Sequence, residues 1–367
     1  MKIAILSMQR VVNFGSVLQA WSLRELIRQE TGAEVRFLDI EDTPALPSRR
    51  SLSEAVDYEA PAEYPAGLHQ KAKRRLIALL SSRNKDLIRK FMAEELALQD
   101  NGCNTYDAVV VGSDEVFNHV QGIRLQLHGM VRQSERVLTY AASCGSAAAE
   151  DIAPENVPEV AAAMARFQAV SLRDEATERY VQPLYSGAMY RHMDPVLMGD
   201  LYRRPHRPVK LKNYLLVYAY GQRIRTREEI SAIREYARSR GLKIVAMGGS
   251  QFWCDLYLPA SPFRLLDYFH HADCVVTDTF HGTIFSVINR KRFAVIPRKT
   301  NRNKLSSLLA DLELQDQLLP DMAQLKDVIS REIDYDRVEK ILQTERVRTR
   351  EYLRTQLGGA HEADKSL

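Results

Sequence analysis

"CVVTDTFHGTIF", Cys274 to Phe285, carries the reading of this chain. The apolar run Cys274-Val275-Val276 reads as a short buried strand. It breaks off into Thr277, Asp278, Thr279, His281 and Gly282, and an apolar helical pattern then resumes. In open α/β sheets the ligand lies at the carboxyl ends of the strands. The turn is therefore a candidate site, and His281 is its candidate acid or base, because imidazole titrates near neutral pH.

The same alternation repeats on both sides of this stretch. Lys2 to Ser7 reads as a strand, Val17 to Arg28 as a helix stopped by Gly32, and Val35 to Ile40 as a second strand, a βαβ unit. Residues 42–68 are rich in Pro, Ala, Ser and Glu and read as a surface excursion. Lys71 to Leu98 reads as a helix, basic in its first part. Further strands are expected at Ala108–Val111, in "RVLTYAASCGS" and at Ala169–Leu172, with "DPVL" after them. The basic, proline-bearing stretch 201–213 lacks periodicity and reads as a linker.

Beyond it a second set begins. "YLLVYAY", "LKIVAMG", Cys274–Val276 and Phe293–Ile296 are its strands. Arg227–Arg240, Pro262–His271 and Gly282–Arg290 are its helices, and Asn303–Leu312 and Tyr335–Leu357 close the chain. The expected fold is α/β: two Rossmann-like domains facing across a cleft in a GT-B-like manner. Residues 1–202 form the first, 212–334 the second, and 335–367 a closing helix and tail.

Composition narrows the class. The chain has 367 residues, 45% apolar and 27% charged, the profile of a globular protein with room for two cores. A net charge of +4 suits an anionic small molecule or an anionic membrane surface and gives no reason to expect nucleic acid. Four cysteines form no CxxC pair or zinc spacing, so no disulfide framework is expected and a reducing cytoplasm is the simplest setting. "MKIAILSMQRVVNFG" reads as a first strand and not as a signal peptide. No apolar stretch approaches the ~18 residues that span a bilayer. No HxH motif or paired Asp cluster points to a metal.

Five strand ends turn polar: "QRVVNFGSVLQA", "GSDE", "SCGS", "LRDE" and "TDTFHG". Each has an ordinary explanation by itself. Gly-Ser before a helix is often only a cap. Arg173 beside Asp174 and Glu175 makes a surface ion pair, and His270 and His271 sit at a helix end. The combination at matching strand ends shifts the balance toward a site. Asn13 and Gly15 precede a helix whose backbone N–H groups suit an anion or a hydroxyl-rich ligand.

Together these residues resemble the polysaccharide pyruvyl transferase family. The motifs are "NFGSVLQAWSL", "VVVGSDEVFN", "TYAASCGS", "VSLRDE", "DPVL" and "TDTFHGTIFSVINRKRF", in the family's order over residues 13–293. Thr279 stands where Ser is usual, which keeps the hydroxyl, and Glu115 stands where Gln is common. The resemblance implies transfer of the enolpyruvyl group of phosphoenolpyruvate to a sugar, usually as a ketal bridging two hydroxyls, with release of phosphate and no cofactor. It assigns proton transfer to His281 and the donor's anionic groups to Arg173, Lys304, Thr279 and the helix opening at Gly282. Asp114 becomes the candidate base for the sugar hydroxyl. Asn13, Gly15, Ser16, Gln19 and Ser113 would line the acceptor side, on the first domain. Asp278 either orients His281 or has a structural role in the turn, the structural role being preferred. The acceptor is a carbohydrate, free or lipid-linked, and in the second case the basic helix would meet the inner face of a membrane. Two rivals stand: a GT-B glycosyltransferase using a nucleotide sugar, and a non-catalytic carbohydrate-binding relative.

Overall fold

A computed structural model describes residues 1–49, 68–98, 105–119 and 122–358. Among these, two parallel sheets carry the architecture. The first has the order β2-β1-β3-β4-β5-β6, from β1 (Lys2–Leu6), β2 (Glu34–Leu38), β3 (Ala108–Asp114), β4 (Val137–Ala142), β5 (Phe167–Leu172) and β6 (Met189–Arg191). The second has the order β11-β10-β7-β8-β9, from β7 (Tyr214–Ala219), β8 (Lys243–Gly248), β9 (Leu256–Tyr257), β10 (Cys274–Thr277) and β11 (Arg292–Val295). Every residue of β4 and β7 is buried, which is why β7 reads as an unbroken apolar run and β4 as one interrupted only by Thr139.

Helices cover both sheets: α1 (Phe14–Thr31), α2 (Leu68–Phe91), α3 (Val157–Met164), α4 (Glu175–Val181), α5 (Pro195–Met198), α6 (Arg227–Ser239), α7 (Pro262–His271), α8 (Phe280–Ile288), α9 (Arg302–Asp311), α10 (Leu325–Ser330) and α11 (Tyr335–Leu357). Their ends follow local chemistry. Asn13 Oδ1 accepts the Gly15 N–H at 2.7 Å to start α1, and Gly32 ends it at φ 66°, a left-handed cap that costs glycine little. Thr226 and Glu229 form a capping box on α6.

Three expectations shift. "DPVL" forms a capped helical turn, α5, because Asp194 accepts the Val196 N–H and Pro195 fits the first helical position. The strands β6 and β9 are short edge strands with no alternation to betray them. The basic helix starts at Leu68, earlier than expected, and gives way after Phe91 to a π-helical turn, Met92–Leu96. Residues 50–67 of the expected excursion, and Cys103, lie outside the described residues.

One apolar cluster runs through both halves, and each half has a further cluster of its own. Val17, Leu18 and Leu23 of α1 belong to the same buried cluster as Tyr214 and Leu216 of β7 and Ile284 and Phe285 of α8. Two helices cross between the halves. The α2 helix lies on the second sheet: Ile77 joins its core, Lys73 Nζ donates to the Cys254 carbonyl at 2.7 Å, and Asn84 Oδ1 accepts the Ala260 N–H at 3.1 Å. The last helix, α11, returns to the first half, where Tyr352 donates to the Thr139 carbonyl at 2.8 Å and Arg346 Nε to that of Leu197 at 3.1 Å. No helix among the described residues is long and apolar enough to cross a membrane.

Candidate active site

The turn after β10 is built from hydroxyls. Thr279 caps α8, its Oγ1 accepting the Gly282 N–H at 2.9 Å. Thr277 Oγ1 accepts the Thr279 N–H at 3.1 Å and donates to the Tyr218 carbonyl at 2.6 Å. Asp278 is fully buried and turns away from His281. It accepts from the Tyr220 N–H at 3.3 Å and from Arg298 Nε at 3.4 Å, with Arg223 at 3.6 Å. Burial pushes its carboxyl up, and Arg298 and Arg223 offset only part of that. These contacts tie the turn to Tyr220 and to the two arginines.

Asp194, which no motif argument had singled out as a site residue, is the carboxylate that faces His281. Its Oδ2 lies 3.5 Å from His281 Nε2 and 3.4 Å from Arg173 Nη1, while Oδ1 accepts the Val196 N–H at 3.0 Å. Burial would raise this carboxyl, but His281 and Arg173 together bring it below the ordinary carboxylate value. The available signal was Asp-Pro after a strand, where one carboxylate oxygen caps the turn and the other is left for a further partner. On its other side the His281 ring lies against α1, and a methyl group on Gly15 would overlap Nδ1. Gly15 therefore makes room for the imidazole.

Arg173 is not a surface residue: it is 5% exposed. Its guanidinium stacks on Phe280 at 4.3 Å and lies 4.0 Å from Asp174. Among the described residues its Nε finds no hydrogen-bond partner. Lys304 Nζ reaches across the cleft and donates to Glu115 Oε1 at 2.6 Å, and Asn118 donates to Oε2 at 2.9 Å. The Lys304 charge, against the opposing effect of burial, holds the Glu115 carboxyl at about 2. Asp114 adopts φ 95° and turns into the cleft, its Oδ1 accepting the Glu115 N–H at 2.9 Å.

Two cavities flank this arrangement. The larger, about 570 Å³, is lined by Asn13, Ser16, Asp114, Arg173, His281 and Lys304, among others. The smaller, about 420 Å³, lies between α2 and the second sheet and includes Ser81, Asn84, Lys85, Ser250, Tyr257 and Thr279. Asn13, Tyr220 and His281 line both.

Other expected residues take different places. Gln19 and Ser113 are each 1% exposed and line neither cavity. Gln19 Nε2 donates to Ser113 Oγ, which donates to the Ala141 carbonyl at 2.9 Å. They brace α1 against β3 and β4. Gly282 does not open the helix to phosphate, because its N–H is committed to Thr279. A methyl there would overlap the hydroxyls of Thr277 and Thr279, so the glycine serves packing against β10.

A family model described as polysaccharide pyruvyl transferase matches residues 13–300, a span that holds Asn13, Asp114, Arg173, Asp194 and His281. The chain belongs to that family. A search of curated proteins found no match. Lys304, the one cavity-lining cation contributed by α9, falls just beyond the span that the polysaccharide pyruvyl transferase model matches. Among solved structures, S. aureus MnaA with UDP is similar at TM-score 0.50 and 12% identity, covering 97% of this chain and 96% of that one. The UDP-GlcNAc 2-epimerase of Methanocaldococcus jannaschii, in complex with UDP-GlcNAc and UDP, is similar at 0.47 and 11%, over 94% and 99% of the two chains. Arabidopsis thaliana UGT89C1 complexed with UDP follows at 0.48 and 8%, over 97% and 100%. Identities this low speak to fold alone: this polysaccharide pyruvyl transferase family member has the two-domain, GT-B-like α/β fold.

Proposed function

We propose that the protein transfers the pyruvyl group of phosphoenolpyruvate onto two hydroxyls of a sugar and releases phosphate. The observation that carries this reading is Arg173, a buried guanidinium with an unpartnered Nε, sharing Asp194 with His281 at the wall of the larger cavity. A planar fork buried beside a proton-transfer group suits a small substrate bearing a carboxylate and a phosphate.

The chemistry then divides among named groups. His281 delivers a proton from Nε2, which makes no hydrogen bond among the described residues, to C3 of the donor, converting its CH₂ to CH₃, and C2 gains cationic character. A sugar hydroxyl bonds to C2 and gives up its proton, for which Asp114 on the facing wall is the acceptor. The C2–O bond to phosphate then breaks, its electron pair leaving with phosphate. A second hydroxyl takes that position, and its proton departs with the phosphate. Arg173 and Lys304 hold the anion, and Asp194 keeps the imidazole aimed.

The sugar enters by the smaller cavity. Among the described residues its wall has no carboxylate and a single ionic side chain besides the shared His281, Lys85, alongside Asn84, Ser250 and Tyr257. Neutral amides, hydroxyls and an aromatic face suit a carbohydrate. Its hydroxyls then meet the donor past Asn13 and His281. This moves the acceptor from the first domain alone to the space between α2 and the second sheet.

The test is incubation with phosphoenolpyruvate and a panel of free and lipid-linked sugars. Phosphate release is expected to match a mass gain on one sugar of pyruvic acid less water. Phosphate release with no modified sugar, or transfer from a nucleotide sugar, would overturn the reading.

A further inference from the structure

We propose that the outward face of α2 docks on an anionic membrane surface. The helix carries Lys71, Lys73, Arg74, Arg75 and Arg83 with no Asp or Glu between residues 71 and 85. One face is committed to the protein, through Ile77, Asn84 and Ile88, all buried. Lys73 and Arg74 also turn toward the second half, Lys73 onto the Cys254 carbonyl and Arg74 over Phe252 at 5.4 Å.

The opposite face is different. Leu76 and Leu79 are 55% and 68% exposed, among the most exposed large apolar side chains described. Ala72, Arg75, Leu76, Leu79 and Arg83 recur at helical spacing, so they share this face, and each is exposed. Paired leucines between arginines are the composition of an interfacial helix: the apolar side chains enter the headgroup boundary while the cations meet anionic lipid. An acidic protein partner would use the charges but would give the leucines no apolar phase. The one acid farther along this face, Asp86, is already bonded to Arg89 at 2.9 Å.

The position of the helix gives the docking a consequence. Ser81, Asn84, Lys85 and Ile88 of α2 line the smaller cavity. A membrane against the outer face of α2 therefore lies about one helix diameter, roughly 10–12 Å, from the wall of that cavity. A sugar on a lipid carrier would then have only that helix to pass. The docking itself requires nothing of the donor assignment and is tested separately from it.

The experiment is co-sedimentation of the full chain with phosphatidylcholine vesicles, with and without phosphatidylserine, at low and high salt. Binding is expected only with phosphatidylserine and is expected to weaken with salt. Replacing Lys71, Arg75 and Arg83 together by alanine should lower partitioning on the order of 100-fold, from the usual contribution of each cation near such a surface. Leu76→Ser with Leu79→Ser should weaken binding while leaving that salt dependence in place. Circular dichroism and stabilisation by phosphoenolpyruvate should be unchanged in both variants, since none of these residues lines either cavity. Equal sedimentation with both vesicle types, or full binding by the variants, would overturn the proposal. So would sedimentation velocity showing a dimer that the leucine variant dissolves, because a second copy would then cover the face.

Discussion

His281 lies between Asp194, 3.5 Å from Nε2, and the bare backbone of Gly15 beside Nδ1, and Nε2 makes no hydrogen bond among the described residues. His281→Gln is expected to lower turnover roughly 10²–10⁴-fold, the usual worth of general acid–base catalysis, with a smaller change in donor affinity. Near-normal turnover in a well-folded variant would remove the histidine from the mechanism. Gly15→Ala should act on the same ring from the other side. Its methyl group displaces the imidazole, so turnover should fall much more than melting temperature, and a variant that only melts lower would count against this. Asp194 adds a pH dependence. Its carboxyl is held below its unfolded value near ~3.9, so its contribution to stability is present above that value and lost as pH falls through the lower folded value. The gap in melting temperature between the native protein and Asp194→Asn should therefore narrow as pH falls from neutral to below the ordinary aspartate range. A constant gap would speak against the ion pair with His281 and Arg173.

The strand–turn–helix unit β10–α8 shows what local sequence can and cannot convey. The apolar run, the polar break and the resumed helix were legible, because period and composition are local properties. The use of each polar group was not. Gly282 looked like an opening for phosphate, yet it is crowded by Thr277 and Thr279, and spacing cannot tell which neighbour presses on a glycine. Asp278 and Asp194 both follow strands, and only the three-dimensional placement of α5 gives His281 to the second. Gln19 sits in a motif but faces inward from α1. Gly282→Ala is accordingly expected to cost about 1–3 kcal/mol by overpacking, read in denaturant melts, with turnover per folded molecule retained. A stable variant that has lost only donor affinity would restore the phosphate role.

Across the molecule, the α/β class and the two strand sets were readable from alternation along the chain. The crossing of α2 onto the second sheet and the return of α11 to the first were not, since both depend on contacts between residues distant in sequence. The same holds for the clasp between Glu115 and Lys304, which joins the two halves across the cleft. Because Glu115 occupies the Lys304 charge, Glu115→Gln should free that charge for the donor and tighten phosphoenolpyruvate binding. Weaker binding would mean that the clasp shapes the site and does not compete with the anion.

Calorimetric titration with phosphoenolpyruvate and, in parallel, UDP-GlcNAc bears on all of these arguments at once. The native protein should bind phosphoenolpyruvate and give no heat with the nucleotide sugar. His281→Gln should keep most of that affinity, and Arg173→Lys should lose it, because lysine retains the charge without the planar fork. Binding of UDP-GlcNAc with none of phosphoenolpyruvate, or an Arg173→Lys variant that binds phosphoenolpyruvate as tightly as the native protein, would contradict the proposed donor site.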